Sequence, residues 1–453
     1  MANNKLAAIN RLWRLLTRLL KFFILPVAGL IAVWLGVSLL YDEPLDPGLD
    51  AFYSDIRPVV PDSVNAAIGI LGLSAPYGSD VMAYGRFVAD TLARTTLQRT
   101  QAQELIAAQG RLNMSNRPGD LDCLNWPEPD DPNRPCPTEA RLSEVLKDNS
   151  ELLQRYWHAA SLPEYSPPLL GHNGSLFIDI NKLIAEEIAM KSHRGNAEAA
   201  YHAWRSNYLF LSGAIRAEDS WVGKAILAVN EGISLGSIEQ LLHVAPELAN
   251  SHGDELLRLL AQEGLSRWNL DGVMRTEYRL LDTAALRGEL KFWVRPNFVR
   301  NRFFRAARAF LDASTGTAMD LDRRFFAVKQ VHGNLDQWTW DYLFSPLNTI
   351  FARITLRGQL MAGPLVKNML THDGTMRLLQ LRILLARNDV SDANVEQFLS
   401  SQLSLRNPFT EEPMRWDRAK RVIWFKEPGD SISRRQVRLP GGQWLDDNCE
   451  EAR

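Results

Sequence analysis

The sequence is poor in the residues that build metal and redox centres. Three cysteines and eight histidines are scattered through 453 residues, and neither an H-E-x-x-H nor a paired C-x-x-C occurs. The common zinc signatures are therefore missing. The acids Asp120, Asp122, Asp130 and Asp131 lack the glycine and terminal glutamate that an EF-hand loop needs. No metal and no cofactor is expected. Positive charge is also not in excess, the net charge being −2. Nucleic acid is not an expected partner, because its recognition favours a basic face. What is present is an ordinary folded composition, 46% hydrophobic and 23% charged, in a chain long enough for two or three domains.

One absence is local. No acid precedes Asp42, whereas Lys5, Arg11, Arg14, Arg18 and Lys21 fall in the first 21 residues. Between them and the first acids lies FFILPVAGLIAVWLGVSLLY, the charge-free run Phe22–Tyr41. Its 20 residues match the length that crosses a hydrocarbon core of about 30 Å. Cations before the run and Asp42, Glu43, Asp46 and Asp50 after it predict one transmembrane helix with the N-terminus cytoplasmic and the body periplasmic. A cleaved signal peptide would have a shorter apolar region and a small-residue cleavage site. Here the run ends in Ser-Leu-Leu-Tyr. The expected location is the bacterial inner membrane, with lipid contacted through residues 22–41.

The patterning divides the chain as follows. Residues 1–21 read as a basic amphipathic segment, 22–41 as the anchor and 42–64 as a Pro/Asp-rich linker. A helical segment with a Pro-rich cysteine loop follows over 65–140, then a helical domain over 141–395. A small β-hairpin element occupies 396–440 and a polar tail 441–453. The fold class is mostly α, an irregular helical body with one repeat-like hairpin over Leu176–Ile215, broken at Arg194-Gly195-Asn196. Further helices are expected at 218–231, 235–246, 253–263, 268–288, 301–312, 335–360 and 373–387. Leu256, Leu257, Leu259 and Leu260 predict a helix buried on much of its surface. Met414–Trp416 and Val422–Phe425 flank a four-residue loop and read as paired strands, with Gln436–Leu439 as a third. Cys123 and Cys136 lie in one Pro-rich loop, and an oxidising periplasm would permit a disulfide between them.

Several segments carry a resemblance. AAIGILGLSAP with GSDVMAYGR, VGKAILAVNEGISLGSIEQLL, FWVRPNFVRNRFFR, and SPLNTIF with RLLQLRILLARND resemble a group of membrane-anchored, mostly helical proteobacterial proteins of unknown function. The segment NPFTEEPMRWDRAKRVIWF resembles an Asp-Pro-Phe-Thr-Gly-x-Pro-Leu hairpin of exported proteins. Asn407 stands here for the usual Asp and Glu411 for the usual Gly. No catalytic residue carries over.

One motif looks catalytic, Gly232-Ile-Ser234-Leu-Gly236, a G-x-S-x-G. In an esterase it sits at a sharp strand-to-helix turn. Here the surroundings are helical, so the competing reading is a break between two helices, with Ser234 or Ser237 capping the second. The Glu-Ser dipeptide usual in lytic transglycosylases does not occur. The most unusual local composition is KFWVRPNFVRNRFFRAAR, with the cations Lys291, Arg295, Arg300, Arg302, Arg305 and Arg308 among five aromatics. It reads either as a contact for an anionic surface or as a helix whose Phe residues enter the core while its arginines meet acids. The functional expectation is a non-enzymatic, membrane-tethered scaffold or accessory protein with an envelope protein partner. The alternatives are an envelope hydrolase, acting on ester or glycan bonds, and a lipid-surface-binding protein.

Overall fold

A computed structural model of the chain describes residues 20–40, 42–53, 60–94, 138–168, 174–261, 264–282, 295–314, 362–427 and 434–442, with isolated residues at 13, 17–18, 104–106, 112, 114 and 323–324. It is mostly helical with a small C-terminal antiparallel sheet. The contacts divide it into two units. One comprises Met1–Asp55, Tyr278–Phe310 and Phe326–Leu360, the other Ile56–Glu277, Leu311–Phe325 and Met361–Arg453. Cys123, Cys136, Lys291 and the helix expected over 335–360 lie outside the described residues.

In the first unit a π-helical segment, Leu20–Ile24, runs into helix α1, Leu25–Leu40. Among the described residues no helix is both long and apolar enough to cross a membrane. Of the run Phe22–Tyr41 read from the sequence, residues 22–24 fall in the π segment and Leu25–Leu40 in the α-helix, and Tyr41 lies outside the described residues. Residues 42–53, expected as linker, are structured. Pro47–Tyr53 forms helix α2, and Phe52 packs edge-on against Tyr278 and Phe304.

The second unit begins with two short helices in close contact, α3 (Ala66–Leu71) and α4 (Val81–Arg94). Asp80 caps α4 by accepting from the backbone N–H of Met82 and Ala83, at 2.8 and 3.1 Å. Helices α5 (Glu139–Asp148) and α6 (Ser150–Ala160) follow. From α6, buried Arg155 donates to the carbonyls of Leu73, Ala75 and Pro76 at 3.3, 2.6 and 3.3 Å. These carbonyls lie in and just after the 3-10 turn Gly72–Ser74 that follows α3, where no helix continues to pair them.

The predicted hairpin is present as α7 (Gly174–His193) and α8 (Ala197–Ala217). Gly195 takes φ +78° at the break, and the Asn196 side chain caps α8 by accepting from Ala199 N–H. Helix α9, Trp221–Val244, lies against both. It is one continuous helix, not the two expected at 218–231 and 235–246. Gly232 and Gly236 in its interior cost about 1 kcal/mol each relative to alanine, and the packing of α9 overrides that cost. Beyond it come α10 (Leu248–Ser251) and α11 (Gly253–Leu260). In α11 only Leu256 and Leu260 of the four leucines are buried, so the helix is amphipathic rather than buried on much of its surface. Helix α12, Leu270–Leu281, starts in this unit, whereas most of α13, Pro296–Ser314, belongs to the first.

Helix α14, Ala362–Arg387, packs on α9 and α11 and carries the sheet on another face, with α15, Val395–Ser401, after it. The sheet has the order β1-β2-β3, with β1 Arg415–Asp417, β2 Val422–Lys426 and β3 Arg434–Arg438. The expected element over 396–440 thus belongs to the helical unit. Gly374 of α14 makes room for the Phe425 ring. Before β1 the chain turns between Asn407 and Glu411. Asn407 accepts from Phe409 N–H through its side chain at 3.0 Å and from Glu411 N–H through its carbonyl at 2.9 Å. Glu411 takes φ +57°, where the usual glycine is unstrained.

Candidate functional site

Ser234 lies inside α9, buried, in the same helix as Gly232 and Gly236. Neither reading of the motif survives: there is no strand-to-helix turn and no helix break for a cap. The Ser234 carbonyl accepts from the Trp204 indole at 2.9 Å, and its hydroxyl has no hydrogen-bond partner among the described residues. Gly232 instead allows the His372 ring of α14 to approach, since a Cβ there would sit 3.3 Å from His372 Cε1. Ser234→Ala should leave the fold in place and change stability by less than about 1 kcal/mol, because it removes a buried hydroxyl that forms no bond. A thermal melt of the variant beside the parent checks this.

The titratable groups around α9 are buried and paired with one another. Glu231 is fully buried and bonded to Arg267. Burial raises its pKa, and the Arg267 charge and hydrogen bond oppose that rise. His372 Nδ1 stands 3.5 Å from the other Glu231 oxygen. Burial first, then the Arg267 and Arg435 charges, lower the His372 pKa to about 3. At neutral pH the ring is therefore uncharged, and its approach to Glu231 is not an ion pair. A second set joins α9 to the sheet. Glu239 accepts from Arg382 Nη1 at 3.2 Å and from Arg438 Nη2 at 3.2 Å, all three side chains being buried. These arrangements hold helices together.

Two features face outward. The first is a groove of about 690 Å³ beside α8, lined by Trp157, Leu162, Glu164, Leu209, Phe210 and Gly213 among others. Among the described residues Glu164 is the one carboxylate in that lining, and Tyr165, also lining it, is held protonated by burial and by Glu218. The lining therefore supplies no acid–base pair.

The second feature is the join between α1 and α13 within the first unit. The Asp42 carboxylate caps α13, accepting from Asn297 N–H at 2.8 Å and from Phe298 N–H at 3.0 Å. Asn301 donates to Glu43 Oε1 at 2.7 Å and to the Pro44 carbonyl at 2.8 Å, and accepts from Asp46 N–H at 2.8 Å. The chain leaving the apolar helix thus lies along the first turns of α13. A carboxylate at a helix N-terminus is favourable both as a cap and against the helix dipole. The acids that sequence reasoning read as orientation markers also hold a helix more than 250 residues away in the chain.

The arginines expected to meet an anionic surface separate here. Arg300 donates to buried Asp282 at 3.0 Å. Arg302 lies over the Phe298 ring at 5.1 Å. Burial lowers the pKa of Arg295, and the charges of Asp42 and Glu43 oppose this. Phe303, Phe304 and Phe310 are buried. Arg305 and Arg308 remain exposed. No family model, no curated protein and no solved structure matches the chain.

Proposed function

We propose that this chain is a membrane-tethered accessory protein of the bacterial envelope, with its helical body on the periplasmic side of the inner membrane and its work done by binding rather than by catalysis. The observation that carries this reading is the apolar helix. Residues 22–40 contain no charge, and Phe22, Leu25, Leu30 and Val33 are exposed on successive turns. A helix apolar on every side belongs in a core or in lipid, not in water. Helix α1 rises about 24 Å over its 16 residues. Phe22, Phe23 and Ile24 of the π segment extend the charge-free run. The remaining shortfall against a core of about 30 Å is met by local thinning of the bilayer at modest cost. The cations before the run and the acids after it set the direction. The buried position of Ser234 within α9 removes the motif that favoured a hydrolase.

The test is extraction of membranes with alkaline carbonate. The full chain should stay in the pellet, and a chain lacking residues 1–41 should be released. Release of the full chain would end the reading. Protease added to spheroplasts should degrade the body, and protection of the body would reverse the orientation.

A further inference from the structure

We infer that Arg305 and Arg308 form a docking surface for the phosphate headgroups of anionic phospholipids, in the leaflet from which the apolar helix emerges. This inference rests on the membrane reading of α1. Asp42, two residues after the end of α1, caps the first turn of α13. Wherever α1 ends in the bilayer, the start of α13 is held at that exit. The exposed stripe of α13 consists of Arg305, Arg308 and then Asp312, the other positions being buried or half-buried. Its two members nearest the exit are therefore both arginine. The remaining described arginines of this segment are occupied in the ways given above, by Asp282, the Phe298 ring and the Asp42–Glu43 pair. Arg305 approaches Asp46 only at the 4.0 Å limit of an ion pair, and Arg308 has no ion pair among the described residues.

Distance favours a lipid partner. Arg305 and Arg308 lie eight and eleven residues beyond Asn297, which is about 12 and 16 Å along the helix. With α13 flat on the bilayer and its exposed stripe turned to the lipid, both reach headgroup depth. With α13 upright, their side chains still end within about one Debye length, ~8 Å, of the headgroups. Pro44 and Leu45, exposed in the segment whose Pro44 carbonyl accepts from Asn301, offer apolar contact to the interface. Arginine suits this task, since its planar guanidinium binds phosphate through two parallel hydrogen bonds. Asp50 and Asp312 are also exposed in this region, so the pair is a local patch and selectivity of several-fold is expected.

The full chain, reconstituted in phosphatidylcholine vesicles, would be probed by electron spin resonance with spin-labelled phosphatidylglycerol and phosphatidylcholine. Phosphatidylglycerol should associate several-fold more strongly at low salt, and high salt should abolish the difference. Arg305→Gln with Arg308→Gln should equalise the two lipids, while Arg305→Lys with Arg308→Lys keeps most of the preference. Both pairs are on the surface, and unchanged circular dichroism confirms folding. Equal association of both lipids with the parent would overturn the inference while leaving the membrane reading intact. Failure of the chain to insert into vesicles at all would instead remove the membrane reading. Loss of the preference on adding glycerol phosphate at matched ionic strength would assign the pair to a soluble phosphate, against the inference.

Discussion

Glu239→Ala should destabilise the helical unit by about 3–5 kcal/mol, the range for removing one partner of a buried ion pair. Glu239 Oε1 accepts from the Arg438 backbone N–H at 3.2 Å and its Nε at 3.3 Å, besides Arg382. Arg438 also donates to Gln240 Oε1 at 2.6 Å. Removing the carboxylate leaves two guanidinium groups side by side in a buried site. The Arg382 pKa shows the tension, lowered to about 10 by burial first, with Glu239 opposing and the Arg438 charge adding to the fall. Glu239 belongs to α9, Arg382 to α14 and Arg438 to β3, so the effect should reach the sheet. Urea titration followed by far-ultraviolet circular dichroism reads the loss. Tryptophan fluorescence, summed over the 13 tryptophans of the chain, Trp424 on β2 among them, should follow the same transition. A change below about 1 kcal/mol would mean that water reaches the site and that the carboxylate is dispensable. Adding Arg438→Leu to Glu239→Ala should recover part of the loss, because it removes one of the stranded charges.

The second large effect is expected at a glycine. Gly85→Ala places a methyl group against the Ile68 carbonyl oxygen, far inside van der Waals contact, and 3.1 Å from the Gly72 backbone nitrogen. Gly72 has the reciprocal conflict with the Val81 carbonyl oxygen. Both obstacles are backbone, so neither can rotate away. Helices α3 and α4 would have to separate, exposing Ile68, Leu71, Tyr84 and Val88, which pack in one cluster. Overpacking costs about 1–3 kcal/mol and occasionally more, and with backbone as the obstacle the upper end is expected. The contrasting variant is Gly236→Ala, where a Cβ meets nothing within 4 Å. In the middle of a helix it should stabilise by up to about 1 kcal/mol. Melting temperatures of the two variants should move in opposite directions.

These glycines show how far local pattern carries. The segments AAIGILGLSAP and GSDVMAYGR stand out in the sequence, but nothing in them states that Gly72 and Gly85 mark the approach of one backbone to another. The break at Gly195 and the three strands were legible because each depends on residues close in the chain. Ser234 was misread for the same reason. Two glycines and a serine within five residues are a local signal for a break, and the packing of α7, α8 and α14 on α9 outweighed it. The arginine-rich segment was legible as unusual but not as divided. Phe298 lies four residues before Arg302 and could be read as its neighbour, whereas Asp282, the partner of Arg300, lies 18 residues away.

By itself the sequence determined the helical class, the hairpins, the charge-free run and the asymmetry of charge around it, since periodicity and capping act within a few residues. Tertiary structure alone decided which charges are buried, which glycines are contacts and which arginines remain exposed. Those outcomes depend on groups far apart in the chain, such as Asp42 with Asn297 and Glu239 with Arg438, and the free energy of burying a charge is set by the partner that meets it.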